Sequence, residues 1–550
     1  MAIGSEHKEM TPEKRWEREQ KLRTYIVVGV LFVFVGLIVI RLMTVQIVNS
    51  AEYKVKAKRQ YESRRPVSAA RGAIYDRDMQ KLATSLTLIS FAADPNVFQK
   101  QEKKPGETHA RKPENPERVA DSLAKIFRKD RNDYLKKLKE KGNFVWLERN
   151  VPIDVAVKVT GMQLPGVRQI REKNRYYENL AAQVIGFTDR DNNGISGIEK
   201  QYDTDLRGTD GVIIMQRTAT GKYYPAVDKP LVEPVDGNGL QLTLDMNIQA
   251  IVETELKRGL DAAGAQAGIA IVMDVRTGEI LAMSNQPDFD MNKKGAYQAE
   301  AVRNRAITDT YEPGSTFKLV MATAATELEI RKADDWVFAE NGKYRVFGQT
   351  IQDHEKLGKV TFKMAIAQSS NIIAAKTAMA IGPEKFYEYA HAFGFGEKTG
   401  IDLIGEVRGK LKPVKDWGKP TLPWMAQGYE VQVTPLQILC AYAALANDGV
   451  LMKPYIVKKV LSPDGDVIKE NKPVEVREVM SKSSARYVRN YFKTVVDSGT
   501  GMAAAIEGLE VGGKTGTAQL LVDGNYRTGS YVSSFVGFFP VNQPEIAAII

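Results

Sequence analysis

This sequence predicts an α+β fold hung from a single membrane-spanning helix, and three features carry that expectation. An apolar stretch near the N-terminus has the length of one bilayer crossing. Behind it, short alternating apolar runs mix with brief helices, the pattern of an irregular α+β module. From about residue 239 the order is strands, then helices, then strands again, which closes a sheet from both ends of a domain around a helical insert. At 550 residues the chain is also too long for one ordinary core, so two or more folded regions are expected.

The anchor comes first. Residues 25–40 are uninterrupted apolar or glycine, and past Arg41 the character continues through Leu42, Met43, Val45, Ile47 and Val48. About 20 such residues span the hydrocarbon core as a helix, with Arg41 snorkelling from near its end. Val48-Asn49-Ser50 is a passable signal-peptidase site. The long polar tail before Tyr25 and the length of the apolar run favour an uncleaved anchor over a signal peptide. Lys8, Lys14, Arg15, Arg18, Lys21 and Arg23 precede the span, and Lys54, Lys56, Lys58, Arg59, Arg64 and Arg65 follow it. The balance is level, so charge does not assign an orientation.

After the anchor, residues 49–65 are charged and helix-friendly and read as a stalk. Residues 99–118 are rich in Lys, Glu and Pro without an apolar period, as in a surface insertion. Short alternating runs such as 211–215 belong to the irregular region between about 66 and 230. The next domain opens with a strand over 240–244 and a helix over 245–260 with Asp245 as its N-cap. Strands over 268–273 and 279–283 follow, joined through Asp274-Val275-Arg276-Thr277-Gly278. Residues 315–450 read as mainly helical, and strand patterns return near 511–521 and 531–539.

Composition removes several classes of function. With 43% hydrophobic and 26% charged residues the chain is neither disordered nor collagen-like. Its net charge of +10 suits an anionic partner or a solvated basic surface, yet no nucleic-acid module is present and aromatics are not interleaved with the basic clusters. Nucleic acid is therefore not an expected partner. The single cysteine, Cys440, excludes an intramolecular disulfide framework and sits in an apolar run, as a buried structural thiol does. His7, His109, His354 and His391 have no metal-ligand spacing, so neither metal nor cofactor is expected.

Three short motifs carry the chemistry. In Glu312-Pro313-Gly314-Ser315-Thr316-Phe317-Lys318 the Pro-Gly break puts Ser315 at a helix N-terminus, with Lys318 on the same face. A serine hydroxyl needs a base, and a lysine becomes one when burial and nearby positive potential depress its pKa. The helix N-terminus adds potential and unpaired amides for a developing oxyanion. A second Ser-x-x-Lys, Ser122 to Lys125, lies in a charged amphipathic segment without that break. The second motif, Ser369-Ser370-Asn371, joins two helical runs; Ser369 supplies a hydroxyl for proton relay and the Asn371 amide a partner for a peptide carbonyl, although helix capping is the plainer use of such a junction. The third, Lys514-Thr515-Gly516-Thr517, puts a cation and small residues on a strand, suited to a peptide carboxylate. A rival copy, Lys398-Thr399-Gly400, lies in a loop of the helical region and lacks the extra threonine. The trio, in this order, is that of penicillin-interacting serine enzymes.

With these motifs the chain resembles a class B penicillin-binding protein along nearly all its length. Arg71-Gly72-Ala73-Ile74-Tyr75-Asp76-Arg77, Arg175-Tyr176-Tyr177, Gly194-Ile195-Ser196-Gly197-Ile198-Glu199 and Leu206-Arg207-Gly208 resemble the pedestal module of that family. Thr243-Leu244-Asp245, Arg303-Asn304-Arg305-Ala306 and Val433-Thr434-Pro435-Leu436-Gln437 fit its second module. The resemblance implies a cytoplasmic tail (1–24), a transmembrane helix (25–48), a pedestal or dimerisation-type domain (49–235) and a transpeptidase domain with an antiparallel sheet and an all-helical subdomain (236–550). It implies a bacterial inner-membrane protein whose C-terminal domain lies outside the cytoplasm. Ser315 would attack the D-Ala-D-Ala bond of a peptidoglycan stem peptide, with Lys318 as base and Ser369 as relay. Asn371 would hold the donor amide, and Lys514, Thr515, Gly516 and Thr517 would form the carboxylate end of the site. The N–H groups of Ser315 and Thr517 would form the oxyanion hole, and β-lactams would stall the acyl-enzyme.

Glu312 before Pro313-Gly314 resembles division-type members, where elongation-type members more often carry proline. The expected partners are accordingly a membrane-embedded lipid II glycosyltransferase and divisome proteins. Met79 and Glu178 replace a glycine and a proline of the family pattern, and the family continues with a further strand and closing helix beyond Ile550, so either the sequence is a fragment, as its ending suggests, or its sheet is unusually short. The alternatives are an elongation-type enzyme, a serine β-lactamase, a D,D-carboxypeptidase, a β-lactam sensor and an inactive scaffold. The anchor and large pedestal argue against a free-standing β-lactamase, no signalling domain supports a sensor, and intact motifs argue against a scaffold.

Overall fold

A computed structural model describes residues 12–99, 113–142, 144–217, 223–225, 232–295, 297–522 and 525–550. The start of the polar tail and residues 100–112 of the expected insertion lie outside the described residues. The chain divides into two compact units, one of residues 1–67 with 210–234 and one of residues 68–209 with 235–550.

In the first unit a helix runs Pro12–Met43, continues as a π-helical turn over Thr44–Val48 and is followed by a helix over Ser50–Tyr61. Its stretch Arg15–Val48 is long and apolar enough to cross a membrane, and Val33, Phe34 and Leu37 face outward instead of packing inside the protein. The helical stalk ends earlier than the sequence predicts. Residues Glu62–Val67 form a strand antiparallel to Gly211–Arg217, a partner about 150 residues away that local propensity cannot reveal.

The second unit contains two main sheets. One runs, in order, Val467–Glu470, Val457–Leu461, Gly239–Leu242, Ile74–Tyr75, Lys81–Ala93 and Val145–Val151, with Val167–Tyr177 also paired along Lys81–Ala93. The Gly239–Leu242 strand pairs in parallel with Ile74–Tyr75, so one sheet joins residues on both sides of position 235. Beside it, three separated motifs meet in one buried ion cluster. The Arg71 and Arg175 Nε atoms donate to the two oxygens of Glu199 at 2.5 and 2.6 Å, and Arg71 Nη1 reaches Asp203 at 2.7 Å. Removing one member would leave a buried charge without its partner, which makes the cluster a fixed point of the fold. Met79 takes the left-handed conformation (φ 63°) that a glycine would occupy freely, within a turn where Asp76 accepts the Asp78 and Gln80 amides at 2.9 and 2.8 Å.

The other sheet is antiparallel throughout, in the order Ile280–Gln286, Gly268–Asp274, Ile546–Ile549, Asn525–Phe539, Gly512–Val522. Its first two strands come from the start of the domain and the other three from the end, as the strand–helix–strand order predicts. Asp245 caps the flanking helix Met246–Ala263, accepting the Asn247 and Ile248 amides at 2.9 and 3.1 Å. Helix Pro435–Ala446 is buried on every side and starts with Pro435 behind a Thr434/Gln437 capping box. Cys440 lies on it, 3% exposed, and burial pushes its thiol pKa up, as a structural thiol requires.

The 315–450 segment is less helical than its sequence predicts. Trp336–Phe338 pairs with Lys359–Thr361, and Lys343–Val346 forms a hairpin with Gln349–Gln352. The two-residue turn Phe347-Gly348 has both φ positive (47° and 78°), the geometry that matches hairpin twist. These short strands sit beside the second motif and bring Asp353 to it.

Candidate active site

Ser315 lies in a 3-10 turn, Gly314–Phe317, and the α-helix Lys318–Glu327 begins directly after it. The turn is held from two sides: Thr316 Oγ1 donates to Pro313 O at 2.8 Å, and Tyr442 Oη, from the buried helix Pro435–Ala446, donates to Thr316 O at 2.9 Å. Gly314 has φ 55°, and a Cβ there would lie 2.9 Å from Thr517 O, so only glycine lets the third-motif strand approach this closely. Gly516 is constrained likewise: its Cβ would meet Ser534 Oγ at 2.5 Å and Pro313 O at 3.0 Å. Turn and strand are thereby locked together.

Ser369 sits between helices Phe362–Ala367 and Asn371–Ile381 in the left-handed region (φ 58°), which turns its hydroxyl toward the first motif. Its Oγ is 3.0 Å from Ser315 Oγ and 3.1 Å from Lys318 Nζ. Lys318 Nζ also donates to Ser369 O at 2.5 Å and to Asn371 Oδ1 at 2.7 Å. Lys318 and Ser315 are thus linked through Ser369. The Asn371 Nδ2 group donates to Gln352 O at 3.0 Å and, having two N–H bonds, keeps one for a ligand.

Lys318 is 1% exposed, and its pKa is held well below the ordinary lysine range. Burial is the main cause, the positive charge of Lys514 adds to it, and Asp353 opposes both. Lys514 is fully buried on Gly512–Val522, opposite Val536, and burial pushes it down to about 7. Its Nζ lies 3.2 Å from Thr515 O and 3.5 Å from the hydroxyls of Thr515 and Thr500, which are 2.8 Å from each other. Thr517 is exposed.

The rival copies do not join this cluster. Ser122 donates back to Arg118 O at 2.8 Å within helix Pro116–Phe127, and Lys125 is exposed. Thr399 and Gly400 are tied to Glu406, whose Oε1 accepts the Thr399 amide and hydroxyl at 2.6 Å each. His391 is 3.3 Å from Glu397 at the surface.

Two site residues escape sequence reasoning. Asp353 accepts from Ser370 Oγ at 2.6 Å, from the Asn371 amide at 2.6 Å and from the Ile372 amide at 3.0 Å, capping the second-motif helix from outside. Thr500 belongs to the turn that follows helix Lys482–Ser498. Neither has a local signature, because each acts across a tertiary contact.

Residues 268–550 match the model of the penicillin binding protein transpeptidase domain, and residues 66–242 that of the penicillin-binding protein dimerisation domain. This chain belongs to the penicillin-binding protein transpeptidase family. It has relatives that match most of its length. It is 33% identical to penicillin-binding protein PbpB of Mycolicibacterium smegmatis, over 92% of this chain and 82% of that one. Against peptidoglycan D,D-transpeptidase FtsI of Escherichia coli the identity is 30%, over 88% and 79%. The solved structure of penicillin binding protein 3 from Mycobacterium tuberculosis, complexed with aztreonam, superposes with a TM-score of 0.66 at 27% identity, covering 88% of this chain and 90% of that one.

Proposed function

We propose that this penicillin-binding protein is a peptidoglycan D,D-transpeptidase that cross-links stem peptides through an acyl-enzyme on Ser315, in septal wall synthesis. The observation that carries the proposal is the hydrogen-bonded chain Ser315–Ser369–Lys318, with Lys514 and its threonines beside it. With Lys318 neutral, the chain reverses its donors: Ser315 O–H donates to Ser369 Oγ, and Ser369 O–H to the lysine lone pair. As Ser315 Oγ attacks the penultimate D-alanine carbonyl, its proton passes to Lys318. Collapse of the tetrahedral adduct breaks the D-Ala-D-Ala amide, and the departing nitrogen takes the proton. A neighbouring peptide amine then attacks the ester, losing a proton to Lys318 and releasing Ser315 with its own proton restored. General-base assistance of this kind is worth about 10²–10⁴ in rate. Lys514 with Thr515 and Thr517 binds the terminal carboxylate, Gly516 leaves room for the substrate backbone, and Asn371 holds the donor amide. The amides of Ser315 and Thr517 stabilise the oxyanion.

The same reading divides the chain into a cytoplasmic tail (1–24), a membrane span (25–48), a pedestal (49–235) and a transpeptidase domain (236–550), the last two outside the cytoplasm. Its partners, as the family resemblance implies, are a membrane-embedded lipid II glycosyltransferase and other division proteins. A β-lactam that mimics the donor labels Ser315 covalently. Fluorescent penicillin should mark the wild type and Ser122→Ala but not Ser315→Ala; labelling retained in Ser315→Ala would refute the assignment.

A further inference from the structure

Away from Ser315, the second unit contains a cavity of about 530 Å³ that the acyl-transfer chemistry does not use. It opens among the strands Lys81–Ala93, Val145–Val151 and Val167–Tyr177 and the helix Arg131–Leu138. Its lining is strongly basic: Lys129, Lys137, Arg149, Arg190 and Lys294, against the single carboxylate of Glu148. Arg175 also borders it, but that guanidinium is committed to Glu199 and to the Gly72 carbonyl.

Pairing separates these cations into two groups. Lys129 Nζ is 2.8 Å from Glu148, and Arg149 Nη2 is 2.8 Å from Glu172. The other three have no ion pair among the described residues. Lys137 donates to Leu147 O at 3.1 Å, and Lys294 to Asn174 Oδ1, Thr188 Oγ1 and Asp189 O at 3.1–3.2 Å, all uncharged acceptors. Arg190 is exposed at the rim. Burial, opposed by Glu199 and Asp189 and reinforced by Arg175 and Arg149, lowers Lys294 to about 8. Three like charges around one hollow repel each other, and a multivalent anion relieves that repulsion while pairing each of them. The wall is not only polar. Leu86 and Tyr176 are each 41% exposed, and Trp146 carries the Arg149 guanidinium 4.7 Å from its ring. A ligand with an apolar or ring-bearing body would cover those groups.

We propose that this cavity is a binding site for a small ligand that carries two or more carboxylate or phosphate groups on such a body, held by Lys137, Arg190 and Lys294. The site itself stands apart from the transpeptidase reading; only the choice of candidate ligands rests on that reading. Wall chemistry offers two sources of these groups, the carboxylates of a stem peptide and the pyrophosphate of a lipid-linked precursor.

Calorimetric titration of the full-length detergent-solubilised protein separates the sources. One arm uses sodium pyrophosphate; the other uses a stem tripeptide without D-Ala-D-Ala, which offers Ser315 no scissile bond. One probe should saturate at one site per chain, and its identity assigns the source. The Lys137→Glu/Arg190→Glu variant should bind it at least about tenfold more weakly, with a smaller salt dependence, while fluorescent penicillin still labels Ser315. Failure of both probes to saturate, or equal affinity in wild type and variant, overturns the proposal. Should the double variant lose labelling as well, the exposed Arg190→Gln variant decides: unchanged affinity overturns the site, and a loss of about threefold or more upholds it.

Discussion

Replacing Asp353 with asparagine tests whether the second motif works because a carboxylate outside it holds it in place. The carboxylate takes three donors, Ser370 Oγ and the Asn371 amide at 2.6 Å each and the Ile372 amide at 3.0 Å. Hydrogen bonds to a charged acceptor are worth about 1.5–3 kcal/mol each, roughly twice neutral ones. An asparagine keeps one acceptor oxygen, so either the two amides or Ser370 faces an NH₂ group; Ser370 can rotate to accept, whereas the amides cannot. The loss is therefore on the order of 2–4 kcal/mol, including the helix N-terminal charge. If half of it reaches the transition state, acylation slows by about 5–30-fold at 1.4 kcal/mol per factor of ten. The pH dependence moves in a definite direction. Asp353 raises the Lys318 pKa against burial and against Lys514, so removing its charge lowers that pKa. In the proposed mechanism the reactive form is the neutral amine, so the acidic limb of acylation should shift to lower pH even as the maximal rate falls. Acylation by fluorescent penicillin, followed by stopped flow across pH, measures both. A wild-type rate with a wild-type profile, or an acidic limb moved to higher pH, would refute the reasoning, while an unlabelled Ser315→Ala control keeps the nucleophile assignment separate.

Four further outcomes are expected. Lys318→Met should cut acylation by about 10²–10⁴ while leaving the melting temperature equal or higher, because it removes a buried amine. In the proposed role of Lys514 as the cation for the substrate carboxylate, burial pushes its pKa down to about 7, so acylation at limiting penicillin should fall as pH rises through about 7. Lys514→Met should abolish that alkaline limb; a limb that persists would locate the titration elsewhere. In Gly516→Ala the new methyl meets Ser534 Oγ at 2.5 Å and Pro313 O at 3.0 Å, so melting temperature and acylation should both drop, with an overpacking cost of about 1–3 kcal/mol. Glu406→Gln loosens the loop around Thr399 and Gly400 and should lower stability by about 1–2 kcal/mol while labelling of Ser315 persists.

The motifs themselves were readable because their chemistry is local. Pro313-Gly314 before Ser315 announces a break followed by a helix, and Asp245 announces a cap, since both depend on neighbours within one turn. The strand–helix–strand order was enough to predict a sheet built from both ends, because a half-apolar strand must bury its apolar face in a sheet. Reading failed where the partner was distant. The strand Glu62–Val67 needs Gly211–Arg217, and the hairpins inside residues 336–361 are too short for a periodic signal.

Sequence alone therefore determined the anchor, the α+β class, the order of the three motifs and the preference for Ser315 over Ser122, all properties of spacing and local turn chemistry. Tertiary structure decided how those motifs are arranged. It put Ser369 between Ser315 and Lys318, at 3.0 and 3.1 Å, and supplied Asp353 and Thr500 from outside the motifs. It buried Lys318 and Lys514 near enough for the charge of Lys514 to lower the Lys318 pKa. A pKa is set by desolvation and by charges a few ångströms away in space, and neither is a property of position along the chain.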